Sequence, residues 1–102
     1  MPTKITVIYD NPKDPDAFEA RYPAHLEYAR ALPSVTRVET AKVWPKEDGS
    51  ETPAYRLLDL YFDDYDTASK AVTSEAAAKF VGDVRELATG GVRITFAEVE
   101  QG

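Results

Sequence analysis

Cysteine is absent from this chain, and histidine and tryptophan occur once each. Without thiols there are no disulfides, no thiolate zinc sites and no cysteine nucleophile. Structural zinc favours Cys and His, so one histidine among carboxylates makes no metal site and none is expected. Long apolar runs are missing too, and the longest fall far short of the ~20 residues of a membrane span. The N-terminus, Met1-Pro2-Thr3-Lys4, lacks the basic head and apolar centre of a secretory leader, so the reading places the chain in the cytoplasm. Clustered positive charge is also lacking. The twelve Lys and Arg residues are scattered, and the net charge is −6. Nucleic acids and anionic membranes are therefore not expected as partners, because backbone and headgroup recognition need basic patches.

What is present is enough for one domain. The 102 residues form a chain that can bury roughly two-thirds of its unfolded surface. No internal repeat, low-complexity stretch or linker divides residues 1–102.

Four segments alternate like strands. The first, residues 4–9, sets Ile5, Val7 and Tyr9 against Thr6 and Ile8. Residues 35–45 are rich in Val and Thr. Residues 54–63 place Leu58, Leu60 and Phe62 on one face and Tyr55, Leu57, Asp59 and Tyr61 on the other. Residues 92–100 put Val92, Ile94 and Phe96 on one face. Asp14-Pro15 starts a helix, with Asp14 as cap and Pro15 in the first turn, and Pro33 stops it; Pro23 inside it is expected to distort it. A second helical region starts near Asp64, breaks around Thr73-Ser74 and resumes with the stripe Ala77, Phe80, Val81, Val84 and Leu87 until Gly90-Gly91. The order β-α-β-β-α-β predicts an α+β, ferredoxin-like sandwich, with a four-stranded antiparallel sheet and two helices on one face. The third strand is bulky on both faces, and a second copy of the chain is the expected cover for the other one, giving a homodimer.

The first helix carries the chemistry. Phe18, Tyr22, His25, Ala29 and Leu32 recur at helical spacing, so the only histidine points inward. An imidazole there can serve as a general acid/base near neutral pH, or as a core residue bonded to a carbonyl or a tyrosine. Tyr22 and Tyr9 are candidates to orient His25 or to donate to a developing enolate; both also suit an amphipathic core position. The expected site is a small apolar pocket with His25 and Tyr22 as the catalytic pair. Tyr9, Phe18, Ala29, Trp44, Asp59 and Tyr61 would line it, with Ala29 leaving space. Asp59, flanked by Leu58 and Leu60, is a candidate partner for His25 or Arg37, or a dimer contact. Apart from Glu98, most of the other acids read as helix-surface, cap or loop residues. Arg37 and Arg56 could hold an anion bidentately, although strand arginines more often line edges. No serine sits in a nucleophile-elbow pattern.

The stretch AFEARYPAHLEYARALPSV, residues 17–35, resembles the first-helix signature of the EthD family through Phe18, Tyr22, His25, Leu26, Ala29, Leu32 and Pro33. Residues 62–80, FDDYDTASKAVTSEAAAKF, resemble that family's entry to its second helix, without its proline. The resemblance implies a ferredoxin-like fold assembled as a dimeric α/β barrel. The wider superfamily contains polyketide cyclases, muconolactone isomerases, cofactor-free monooxygenases and haem enzymes. Glu27-Tyr28 stand where family members often carry Pro-Leu, which implies a reshaped pocket mouth. Many members are labelled reductases, yet no G-x-G-x-x-G turn is present here. Three readings follow. The first is cofactor-free transformation of a small hydrophobic metabolite, in oxidative degradation or polyketide-like metabolism, by cyclisation, isomerisation, dehydration or oxygenation through His25. The second is a non-catalytic, ligand-binding accessory of an oxygenase system. The third is a haem-associated protein with His25 as axial ligand.

Overall fold

The computed structural model covers residues 1–102. Its elements are β1 (Thr3–Tyr9), α1 (Pro15–Arg30), β2 (Arg37–Lys42), β3 (Arg56–Phe62), α2 (Tyr65–Ala71), α3 (Glu75–Leu87) and β4 (Val92–Glu98). The sheet runs β2-β3-β1-β4 and every neighbouring pair is antiparallel. This is the ferredoxin-like βαββαβ arrangement expected from the order of elements, with the second helical region divided in two.

Local chemistry explains the boundaries. Asp14 caps α1 by accepting from the Ala17 N–H, and Asp64 caps α2 by accepting from the Thr67 N–H. Val72 to Ser74 interrupt the second helical region, and the Ser74 hydroxyl accepts from the Ala77 N–H to start α3. Pro23 lies within α1, yet the helix continues unbroken to Arg30. Gly90 and Gly91 carry the chain from α3 to β4. A Cβ on Gly90 would lie 1.9 Å from the Asn11 carbonyl oxygen, and Gly91 has φ +112°. Only glycine tolerates both demands. The close approach lets the Asp10 N–H donate to the Gly91 carbonyl at 3.0 Å.

The alternation of β1 is borne out. Thr3, Ile5, Val7 and Tyr9 are buried under the helices, and the residues between them are half-buried on the open face. Leu58, Leu60 and Phe62 extend the same buried face on β3. α1 contributes Phe18, Tyr22, His25 and Ala29, and α3 contributes Ala77, Phe80, Val84 and Leu87. Together these make one contiguous core beneath the helices. β4 departs from this pattern. Ile94 and Phe96 share the helix-side register of Val7 and Ile5, yet they remain 47% and 43% exposed at the sheet edge. The opposite face carries Ile8, Leu57, Asp59 and Tyr61, all half-buried with no helix over them.

Candidate functional site

His25 has no solvent exposure, and both ring nitrogens are engaged. Nδ1 lies 2.6 Å from the Asp83 carboxylate, and Nε2 meets the Tyr9 hydroxyl. The Phe80 ring stacks on the imidazole, with centroids 5.0 Å apart. Burial lowers the His25 pKa and outweighs the opposing pull of Asp83, so the ring is neutral at pH 7. Burial also raises the Tyr9 pKa, which keeps the phenol protonated. These states fix the direction of the chain. Nδ1–H donates to Asp83, and the Tyr9 O–H donates to the lone pair on Nε2. Asp83 in turn accepts from Arg21 at 2.9 Å, and the same guanidinium reaches Glu86 at 3.1 Å.

Around this chain the expected aromatic residues do gather. Tyr9 meets Phe18 edge-on at 5.5 Å, and Phe18 stacks on Tyr22 at 5.4 Å. The Tyr22 hydroxyl pairs with Thr40 Oγ1 at 2.6 Å, tying α1 to β2. Ala29 is fully buried in the core and opens no space beside His25. None of the five principal clefts is lined by Tyr9, Tyr22 or His25. Phe18 borders one of about 110 Å³ between α1 and the end of α3. That is small beside the ~300–1,000 Å³ of ordinary ligand sites.

Three of the expected lining residues lie elsewhere. Asp59 and Tyr61 point to the open face of β3. Asp59 accepts from the Thr6 hydroxyl and sits 3.9 Å from Lys4 Nζ, so it meets neither His25 nor Arg37. Tyr61 lies under the Arg37 guanidinium, 5.2 Å from ring centroid to charge. Trp44 sits beyond β2 and is 87% exposed. Strand parity explains the first two positions: Asp59 and Tyr61 alternate with buried Leu58, Leu60 and Phe62. The carboxylate that serves His25 is Asp83, which by sequence alone reads as a helix-surface acid. The available signal was its position three residues after Phe80 and one before Val84, at the border of the α3 stripe.

Trp44 belongs to a second locus. With Lys42, Val43, Asn11, Thr52 and Tyr55 it lines a cleft of about 590 Å³ at the end of the sheet, under the β2–β3 loop. The loop is anchored there. The Asn11 amide donates to the Thr52 carbonyl at 2.9 Å, and the Tyr55 N–H donates to the Tyr9 carbonyl at 2.7 Å. Behind Tyr55, Arg56 donates twice to Glu19, at 3.0 and 2.6 Å, and lies 4.3 Å over the Tyr22 ring. The Tyr55 hydroxyl donates to the same carboxylate at 3.0 Å. The hydrogen bonds from Arg56 hold the Glu19 pKa below its ordinary value. Arg56 is therefore committed to Glu19 and is not a free anion clamp. Tyr55 touches Phe18 at 5.1 Å, so an aromatic ladder runs from the cleft to the His25 chain.

No grouping of His, Cys, Asp and Glu is suited to hold a metal ion. His25 does not fit the role of a haem ligand, because both nitrogens are already paired. No helix is long and apolar enough to cross a membrane.

Fold and site together define a small ferredoxin-like domain with an aromatic cleft at one end of its sheet. Its relatives sharpen that description. An uncharacterized 11.0 kDa protein in the thcB-thcC intergenic region of Rhodococcus erythropolis is 34% identical over 98 residues, which span 95% of this chain and 94% of that one. The chain belongs to the family of that protein. No family model matches the sequence. A crystal structure of an EthD family protein from Bacillus halodurans C-125 superposes with a TM-score of 0.89 at 21% identity, covering 97% of this chain and 99% of the other. The ferredoxin-like fold that the EthD resemblance implies is borne out by this match. A dimeric protein of unknown function with a ferredoxin-like fold, from Bacteroides fragilis NCTC 9343, gives a TM-score of 0.69 at 15% identity, covering 96% of each chain.

Proposed function

We propose that this protein binds a small, largely hydrophobic metabolite in the cleft under the β2–β3 loop, and that it does so as a homodimer. One observation carries the binding reading: Trp44, the only tryptophan, is 87% exposed and lines, with Tyr55, a cleft of about 590 Å³. A large aromatic side chain held in water gains when a flat apolar ligand covers it. The volume lies in the usual ligand range, and a few polar groups, Asn11, Lys42 and Thr52, would orient the occupant. The homodimer reading draws on the open sheet face, with Ile8, Leu57 and Tyr61, and on the dimeric Bacteroides protein of the same fold.

In this reading Asp83, His25 and Tyr9 are a structural pin that closes the core. The test is the single indole N–H resonance of Trp44 during titration with a panel of small aromatic compounds. A saturable shift in the native protein, together with calorimetric binding of the same compound that is lost in Trp44→Ala, supports binding. A resonance unmoved by every compound overturns it.

A second reading is favoured by the polarity of the buried chain. Neutral His25, with Nδ1–H fixed on Asp83, presents Nε2 as a base to the Tyr9 hydroxyl. If Phe18 moved aside, Tyr9 could take a proton from an enolisable substrate while passing its own to His25. The resulting imidazolium would be stabilised by Asp83. Tyr22, bonded to Thr40, would orient the substrate. A His25→Ala variant that keeps ligand binding but loses turnover of that ligand would establish this reading. Equal turnover by both proteins would eliminate it.

A further inference from the structure

We infer that the cleft under the β2–β3 loop selects aromatic anions, an aryl carboxylate being the class that fits. The inference rests on the reading of this cleft as a ligand site. It starts from a local charge that runs against the whole molecule. The chain carries a net charge of −6, yet Lys42 and Lys46 both line the cleft, and neither is in an ion pair. Glu51 is the only carboxylate in the lining.

The nearby acid that could neutralise Lys42 is otherwise engaged. Glu19 receives two hydrogen bonds from Arg56 and one from the Tyr55 hydroxyl, so its oxygens are already bonded. Arg56, the cross-strand neighbour of Lys42, takes that carboxylate in its own ion pair, so the pair adds no net charge there and Lys42 keeps its own. Lys42 Nζ lies instead 5.5 Å over the Tyr55 ring. It thus stands beside one of the two aromatic residues that line the cleft, and Lys46 lies two residues beyond the other, Trp44.

A ligand held between Trp44 and Tyr55 would place its ring against aromatic surface and its edge among lysine ammoniums. A neutral ligand would leave both charges to water. An anionic edge group would gain attraction that low-dielectric walls strengthen. Lysine is a point charge with rotatable donors, so it suits a carboxylate approached from the side and needs no planar fork. Glu51 opposes a second negative charge, which favours a single anionic group over a phosphate ester.

The experiment compares 2-naphthoate with its neutral isostere 2-naphthamide on the full chain, by calorimetry and by the Trp44 indole resonance. Lys42→Gln/Lys46→Gln is the partner variant. Its fold is checked by far-UV circular dichroism, and both side chains are exposed, so it should fold normally. The expected result is at least about tenfold tighter binding of the carboxylate, falling to near parity in the double variant and in high salt. Equal affinity for the two probes, or a preference untouched by the double variant, overturns the charge selectivity while leaving the aromatic cleft intact. If neither probe moves the Trp44 resonance, the cleft reading and the inference fall together.

Discussion

Asp83 on α3 holds Nδ1 of His25 on α1 at 2.6 Å, across a sequence separation of 58 residues. This contact joins the two long helices over the sheet and sets the tautomer that Tyr9 meets from below. A histidine on a helix stripe could have faced a ligand. Here its partners are all protein, so its first measurable consequence is stability.

Replacement of His25 by alanine should destabilise the fold by about 3 kcal/mol. It removes a fully buried ring stacked on Phe80 and leaves the Tyr9 hydroxyl without a partner. The double variant His25→Ala/Tyr9→Phe should recover part of that loss, because no buried hydroxyl is then orphaned. Urea denaturation monitored by circular dichroism measures both. A loss below about 1 kcal/mol in the single variant would contradict the pinning role.

The same histidine makes stability depend on pH in a defined direction. Its pKa in the folded protein lies below the ordinary 6.5, because burial disfavours the imidazolium. The unfolded chain therefore binds the proton first as pH falls. Stability contributed by neutral His25 is complete above 6.5 and is lost as pH drops from there through the lowered folded value. The midpoint of denaturation should fall between pH 7 and pH 5.5 in the native protein. It should change less over that window in His25→Gln, which carries no titrating ring. Parallel slopes for the two proteins would refute the assignment.

Gly90→Ala should be among the most damaging small substitutions. The new methyl group would meet the Asn11 carbonyl at 1.9 Å, and backbone on both sides must move to admit it. The expected cost is about 2–4 kcal/mol, from overpacking and displaced backbone. Asn11 also anchors the β2–β3 loop through Thr52. The Trp44 indole resonance should therefore shift in this variant, whereas Gly82→Ala, with open space around it, should leave it in place.

The homodimer proposal is tested at Leu57. This residue lies on the open face, paired across the sheet with Ile8 and Ala41, and it is half-buried in the single chain. Leu57→Asp should leave the circular dichroism spectrum of the monomer intact while abolishing self-association in light scattering at micromolar concentration. Its opposite, Leu58→Asp, should unfold the chain, because Leu58 is fully buried. A native protein that is monomeric at those concentrations would dismiss the dimer.

Residue order alone determined the elements and the inward faces of β1, α1 and α3, while Tyr55, expected beside Leu57 on the open face, packs against Phe18 instead. Ile5, Val7 and Tyr9 alternate, Phe18, Tyr22, His25 and Ala29 recur at helical spacing, and Asp14, Asp64 and Ser74 mark helix starts. These are local patterns, dictated by the periods of strand and helix and by the unpaired N–H groups of a first helical turn. The pairing of side chains between elements was settled only by tertiary structure. Asp59 and Asp83 are both acids beside apolar residues, but strand parity turns Asp59 to the open face, while the rotation of α3 brings Asp83 onto His25. Trp44 and His25 looked like members of one pocket, and the chain places them at separate loci linked through Tyr55 and Phe18. Periodicity specifies which residues share a face. It does not specify how far a helix is turned about its axis or which strand end a loop folds over, because those depend on contacts between segments far apart in the chain.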